Sequence, residues 1–308
     1  MINRELIRLK TVQVIYAYYE NEGKTLESAE KEFLFSLSKA YELYNTLLML
    51  MVAITHIATR TVEMQQSRAK RLHQDEPIPT KFIQNRFIAQ LRDNEQLHAF
   101  VEKQVIPWTE EEEDFLRQTY KRITEENYYQ LYVHKDTHAY EEDRELWRKI
   151  YRHILANNEQ LDDILEERSL YWNDDKAIVD TFVLKTIRKF DEKKGPLQPL
   201  LPQFKGNEDK EFAVNLFRAT IQNEEYYRQL IASQTLNWDI ERICMMDLII
   251  MQIALAEITS FPSIPISVSI NEYVEISKMY STPRSSSYIN GVLDNIAKRL
   301  VEEHKINK

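Results

Sequence analysis

The stretch Ile264-Pro265-Ile266-Ser267-Val268-Ser269-Ile270-Asn271-Glu272-Tyr273-Val274-Glu275-Ile276-Ser277-Lys278 decides the fold. It reads as a helix ending near Tyr280, and Thr282-Pro283 then opens another. Thr282 is a good N-cap, and Pro283 at the first helical position loses an N–H that has no helical partner anyway. Ile289, Val292, Leu293, Ile296 and Leu300 repeat at helical spacing and form one apolar face. Asn290-Gly291 would signal a hairpin if strands flanked it, and none do. Gly291 therefore falls inside the helix, where it costs about 1 kcal/mol against Ala. Close approach of a neighbouring helix is the expected compensation, so Gly291→Leu should overpack the fold.

Together with Tyr288-Ile289-Asn290-Gly291-Val292-Leu293-Asp294, this stretch resembles the C-terminal signature of the NusB family of bacterial transcription antitermination factors. That signature runs roughly P-hydrophobic-x-V-A-I-N-E-A-hydrophobic-E-hydrophobic-A-K, then F-V-N-G-V-L-D. Trp238-Asp239-Ile240-Glu241-Arg242-Ile243 through Ala256-Glu257 is similar to the preceding family helix. At the other end, Arg8 with Thr11-Val12-Gln13-Val14-Ile15-Tyr16 resembles the family's A-R-x-x-A-x-Q-hydrophobic-hydrophobic-Y. The resemblance covers about residues 3–20 and 210–300. It implies a helical bundle of two subdomains that binds boxA-type nascent RNA together with the ribosomal protein NusE. It further implies that the complex joins the RNA polymerase elongation complex through other Nus factors. The region from about 25 to 205 has no counterpart in a compact family member.

Composition agrees with an all-α chain. Only four glycines occur among 308 residues, Gly23, Gly195, Gly206 and Gly291, which argues for long helices and few turns. Glycines this far apart cannot write a P-loop or a G-x-G-x-x-G fingerprint, so a Rossmann cofactor site is excluded. A net charge of −9 argues against a generic polyanion binder and confines any nucleic-acid site to a local patch. The single cysteine, Cys244, rules out a disulfide within the chain and reads as a buried structural thiol. The N-terminus has no uninterrupted apolar core of a secretory signal, and the longest tight apolar run, Leu47 to Ile54, is short for a membrane span. A cytoplasmic protein is expected.

In chain order, residues 1–24 form an N-terminal basic helix. Residues 25–192 form a helical middle region, with helices near 25–39, 41–57, 81–101, 109–133, 141–157, 158–171 and 174–189. The polar run Gln65 to Pro79 reads as a loop, and Pro107 breaks the pattern before Thr109 caps the next helix with Glu112 closing a capping box. Residues 193–210, with Gly195, Pro196, Pro199, Pro202 and Gly206, read as a linker. Residues 211–308 form the C-terminal helical domain. Across the linker, Ile150-Tyr151-Arg152 through Leu170-Tyr171-Trp172 aligns without gaps to Leu216-Phe217-Arg218 through Leu236-Asn237-Trp238. Two readings stand: a partial duplication of the core helices, or similarity between amphipathic helices sharing one period.

No catalytic set emerges. His134 and His138 have i, i+4 spacing, but the zinc-protease pattern needs Glu where Lys135 stands. Glu95-Gln96-Leu97-His98 lacks the second Glu-x-x-His of a di-iron bundle. The expected RNA-binding residues are Arg4, Arg8, Lys10, Arg284, Ser285 and Tyr288. Arg4 and Arg8 lie about 40° apart around a helix, whereas Lys10 is about 200° from Arg8. Tyr288 stands where the family carries an aromatic, and an exposed ring there could stack on an unpaired base. Arg284 occupies a position often acidic in the family, beside Ser285, Ser286 and Ser287 at a helix N-terminus able to receive a phosphate. No cofactor or metal is expected. Two other functions are compatible with the sequence: a protein–protein adaptor with weakened RNA binding, and an accessory RNA-binding subunit of an RNA-modifying enzyme.

Overall fold

The computed structural model describes residues 1–308 except 22, 74–76, 104–107, 109, 235–242 and 307–308. The expected break at Pro107, the Thr109 cap, and the Trp238 end of the internal similarity lie outside the described residues. The described chain is all-α, with one isolated bridge between Ile2 and Phe204. It divides into two compact units, one of Lys39–Pro202 with Met1, the other of Ile2–Ser38 and Gln203–Lys308.

The second unit contains α1 (Arg4–Glu20), the start of α2 (Leu26–Leu72), α10 (Asn207–Gln222), α11 (Glu224–Ala232), α12 (Met245–Ser260), α13 (Ile266–Tyr280) and α14 (Ser285–Glu302). Its centre is α12, which packs against α1, α10, α11, α13 and α14. A helix surrounded this way must be apolar all round, and Leu248 through Ile258 is buried without interruption. Asn3 opens α1 by accepting the Leu6 N–H at 3.0 Å. Phe33 of α2 stacks on Phe217 of α10 at 4.8 Å between centroids. The α14 face Ile289, Val292, Leu293, Ile296 and Leu300 is buried as its spacing predicts.

The first unit contains the rest of α2, with α3 (Arg86–Arg92), α4 (Glu95–Lys103), α5 (Glu113–Glu125), α6 (Asn127–Val133), α7 (Tyr140–Ile150), α8 (Glu159–Arg168) and α9 (Lys176–Lys189). Phe82 gathers Tyr120, Tyr129 and Trp147 around it at 5.3–5.8 Å. A π-helical turn, Tyr151–Leu155, continues α7. Lys176 of α9 donates to the carbonyls of Leu155 at 3.4 Å and Ala156 at 2.6 Å, and to Asp180 at 3.1 Å. Tyr151 also donates to Asp180, at 2.6 Å.

Three expectations need correction. The two helices near 25–39 and 41–57 and the first part of the expected loop, Gln65 to Leu72, are one continuous helix, α2, of 47 residues and about 70 Å, while Pro77 to Pro79 is non-helical as expected. No Gly or Pro interrupts Thr25 to Glu76, and the polar end is rich in Glu, Gln, Arg and Lys, which favour helix. An 18-residue window of α2 has a mean hydropathy of 1.4, and half of it is buried in the protein. The expected helix 81–101 is split, because Asn94 turns the chain and caps α4, accepting the Leu97 N–H at 3.1 Å. The expected helix 109–133 divides at Glu126, and Glu112 pairs with Arg168.

The proline-rich segment is not a free linker over its first half. Gln90 donates to the carbonyls of Asp191 and Gly195, both at 2.9 Å. Asn94 donates to those of Pro196 at 3.2 Å and Gln198 at 2.7 Å. Leu200 N–H reaches Gln96 at 2.8 Å. Gly195 supplies a φ of +50° in this strap, a conformation that residues with a Cβ rarely adopt.

Candidate nucleic-acid interface

The site was expected on α1 and the start of α14, both in the second unit. Arg8 faces inward from α1. Its Nε and Nη2 donate to both oxygens of Glu257 at 2.8 Å, and its Nη1 donates to Glu272 at 2.9 Å. Glu257 is fully buried and also accepts from Ser269 at 2.8 Å and Tyr273 at 3.0 Å. Burial alone would lower the Arg8 pKa, but the hydrogen bond and charge of Glu257 outweigh it and raise the value. Burial, reinforced by the Glu257 charge, pushes the Tyr273 phenol well above its usual range. Bidentate pairing to a carboxylate that is itself hydrogen-bonded allows this charge to stay inside.

Arg8 is therefore a core residue and is corrected from the expected RNA contacts. Lys10, with 1% of its surface exposed, is corrected for the same reason. The sequence could not reveal this, since α1 is covered on several sides and carries buried residues all round. Arg4 is half-buried with its guanidinium 5.0 Å from the Phe212 ring centroid.

The turn before α14 is built around Asp247 of α12. Ser281 donates to one of its oxygens, and Ser285 donates to the other at 2.8 Å. Thr282 and Ser285 share a hydroxyl contact at 2.9 Å, and the Ser285 N–H bonds the Thr282 carbonyl at 3.0 Å. Thr282 thus begins a turn, and α14 proper starts at Ser285, later than the sequence suggests. The Ser285 side chain is buried on Asp247 and holds the turn, which corrects its expected contact role. Arg284 and Tyr288 project outward, Tyr288 with 39% of its surface exposed. Partial burial, aided by the Asp247 charge, raises the Tyr288 phenol pKa.

The six expected residues do not gather into one patch. Gln13 donates to the Tyr280 hydroxyl at 2.8 Å, which sets the middle of α1 beside the end of α13. Arg4 lies nine residues earlier on α1, about 13 Å of helix rise. The exposed ring nearer this end is Tyr16, with 38% of its surface accessible. Its signal was present in the Gln13-Val14-Ile15-Tyr16 motif. Gly291 is also corrected: a Cβ built there meets nothing within 4 Å, so the glycine faces open space.

The sequence profile described as the NusB family matches residues 181–298, from within α9 to α14. The transcription antitermination protein NusB of Koribacter versatilis is 39% identical over 98 residues, 32% of this chain and 67% of that protein. The chain belongs to the NusB family. The namesake NusB of Salinibacter ruber is 38% identical over 99 residues, 32% of this chain and 62% of the relative. That of Syntrophotalea carbinolica is 40% identical over 89 residues, 29% of this chain and 57% of the relative. The chain thus spans about three fifths of these two NusB proteins and is longer than either. Among solved structures, T. maritima NusB is 30% identical, with 40% of this chain and 87% of that chain covered and a TM-score of 0.31.

Proposed function

We propose that this protein is a non-catalytic transcription antitermination factor of the cytoplasm. It binds boxA-type nascent RNA with the ribosomal protein NusE and reaches the elongating polymerase through other Nus factors. The observation carrying this reading is the outward pair Arg284, on a turn pinned by Asp247, and Tyr288, in the first turns of α14, inside the segment that matches the family. A cation and an aromatic ring on a rigid support suit one phosphate and one unstacked base. Ser286 and Ser287 add the N-terminal backbone of α14 as a second phosphate contact, and Tyr16 offers a further ring.

Burial of Arg8 and Lys10 removes two of the expected cationic contacts, in a chain whose net charge is −9. Binding therefore depends on the ribosomal partner, which also keeps the protein–protein adaptor as a second reading. A titration of boxA RNA with and without NusE separates the two. Arg284→Ala should reduce the log–log salt slope by about 0.7. Tyr288→Ala should leave the slope unchanged and cost about 1–3 kcal/mol of affinity. Wild-type RNA affinity in both variants, with NusE still captured, would leave the adaptor.

A further inference from the structure

The first unit carries a half-open cavity of about 570 Å³ that the RNA reading does not use. Its floor is apolar, formed by Met49, Val52 and Ile57 of α2, Leu97 of α4, Leu116 of α5, and Trp108. The Trp108 indole is fixed by donating to the Thr46 carbonyl at 3.1 Å. His56 and Arg60 from α2, Arg92 from α3 and His98 from α4 line the same cavity, and all four side chains are exposed. The acid in the lining, Glu113, is held by Arg117 at 3.0 Å and by Arg60 at 3.4 Å. Arg92 pairs with Asp93 in a solvated contact at 2.8 Å. Ion pairs this exposed are worth little, so either guanidinium can exchange its partner for a ligand's carboxylate.

We propose that this cavity binds a small monocarboxylic acid with an apolar body, the chain or ring lying on the floor and the carboxylate meeting Arg60 and Arg92. The volume falls within the range of about 300–1,000 Å³ typical of small-ligand sites. The polarity is also selective: in an acidic chain, helices α2, α3 and α4 bring basic side chains to one apolar hollow. An amine would meet the basic side chains and find Glu113 already held by two arginines. A neutral alcohol would find the floor but no counter-charge.

The test is calorimetric titration of the full chain with decanoate, decanol and decylamine. Saturable one-to-one binding of decanoate, at least tenfold tighter than decanol and with decylamine weakest, is expected. Arg60→Gln combined with Arg92→Gln should weaken decanoate about tenfold and leave decanol unchanged. Val52→Trp should fill the hollow and abolish binding of all three probes. If that variant fails to fold, by circular dichroism and thermal midpoint, the arginine pair still decides. No saturable decanoate binding, equal affinity for the three probes, or a decanoate affinity unmoved by the arginine double variant would overturn the proposal. BoxA affinity is not read in this test, so its failure and that of the RNA reading are distinguishable.

Discussion

Set beside each other and aligned without a gap, the stretch from α7 through α9 in the first unit and that from α10 through α12 in the second share a burial register at several described positions. Ile150 and Leu216, Tyr151 and Phe217, Leu161 and Tyr227, Leu165 and Ile231, Val183 and Ile249, and Ile187 and Ile253 are all buried at matched positions. Helix lengths also correspond: 11 residues plus a π turn of 5 against 16, then 10 against 9, and 14 against 16. We infer a partial internal duplication; superposing the two segments tests it, and different crossing angles would sink it. The copies differ where one hydroxyl is added. Tyr151 aligns in sequence with Phe217, and its phenol joins Asp180, Lys176 and the carbonyls of Leu155 and Ala156 in one buried polar cluster. The second unit keeps α10 regular and places buried charges on α12, at Asp247 and Glu257, instead. The two stretches therefore place their buried polar groups at different positions along the shared pattern.

That contrast can be broken from either side. The largest effect is expected for Glu257→Ala, which takes the bidentate partner from the buried Arg8, leaving it Glu272, and removes the acceptor of Ser269 and Tyr273. About 3–5 kcal/mol of stability should be lost in denaturant unfolding. A loss under 1 kcal/mol would show that the network is not what holds α1 on α12. Asp180→Ala should cost less, about 1–3 kcal/mol, because Lys176 keeps its two carbonyls and an ion pair with Asp162 at 3.2 Å. Combining Tyr151→Phe with Asp180→Met copies the pair Phe217 and Met246 into the first unit. The double variant should be more stable than Asp180→Ala, since the Tyr151 hydroxyl leaves with its acceptor while Lys176 keeps its carbonyls. If it is not, the π turn requires the cluster.

The smallest effect concerns the glycines. Gly291→Ala should raise stability by about 0.5–1 kcal/mol, because the site is helical and open to solvent. Gly195→Ala should lower it, because φ is +50° there. A lower thermal midpoint for Gly291→Ala would restore the close-packing role that the sequence suggests.

The all-α class and the face of α14 were legible because helical spacing is local information. The extent of α2 was legible in principle too: nothing between Thr25 and Glu76 breaks a helix, and polarity alone does not make a loop. Asn94 is a different case. It looks like any helix residue until its carboxamide is seen spanning Pro196 and Gln198, about a hundred residues away. The candidate site suffered most from such distance. Arg8 resembles a surface cation on a basic helix, and its partner Glu257 stands 249 residues later. Tyr288 and Arg284 needed no distant partner, and the structure leaves both at the surface. Cys244 was misread because its neighbours are apolar; it opens α12 and is exposed.

An exposed lone cysteine also gives the experimenter a handle. Cys244 is the chain's single thiol, so a maleimide dye would attach at one place without mutagenesis. It stands three residues before Asp247, the carboxylate that anchors the turn carrying Arg284. A fluorophore there would sit close to that turn and report the arrival of RNA or of a protein partner as a change in intensity or anisotropy, in the wild-type chain.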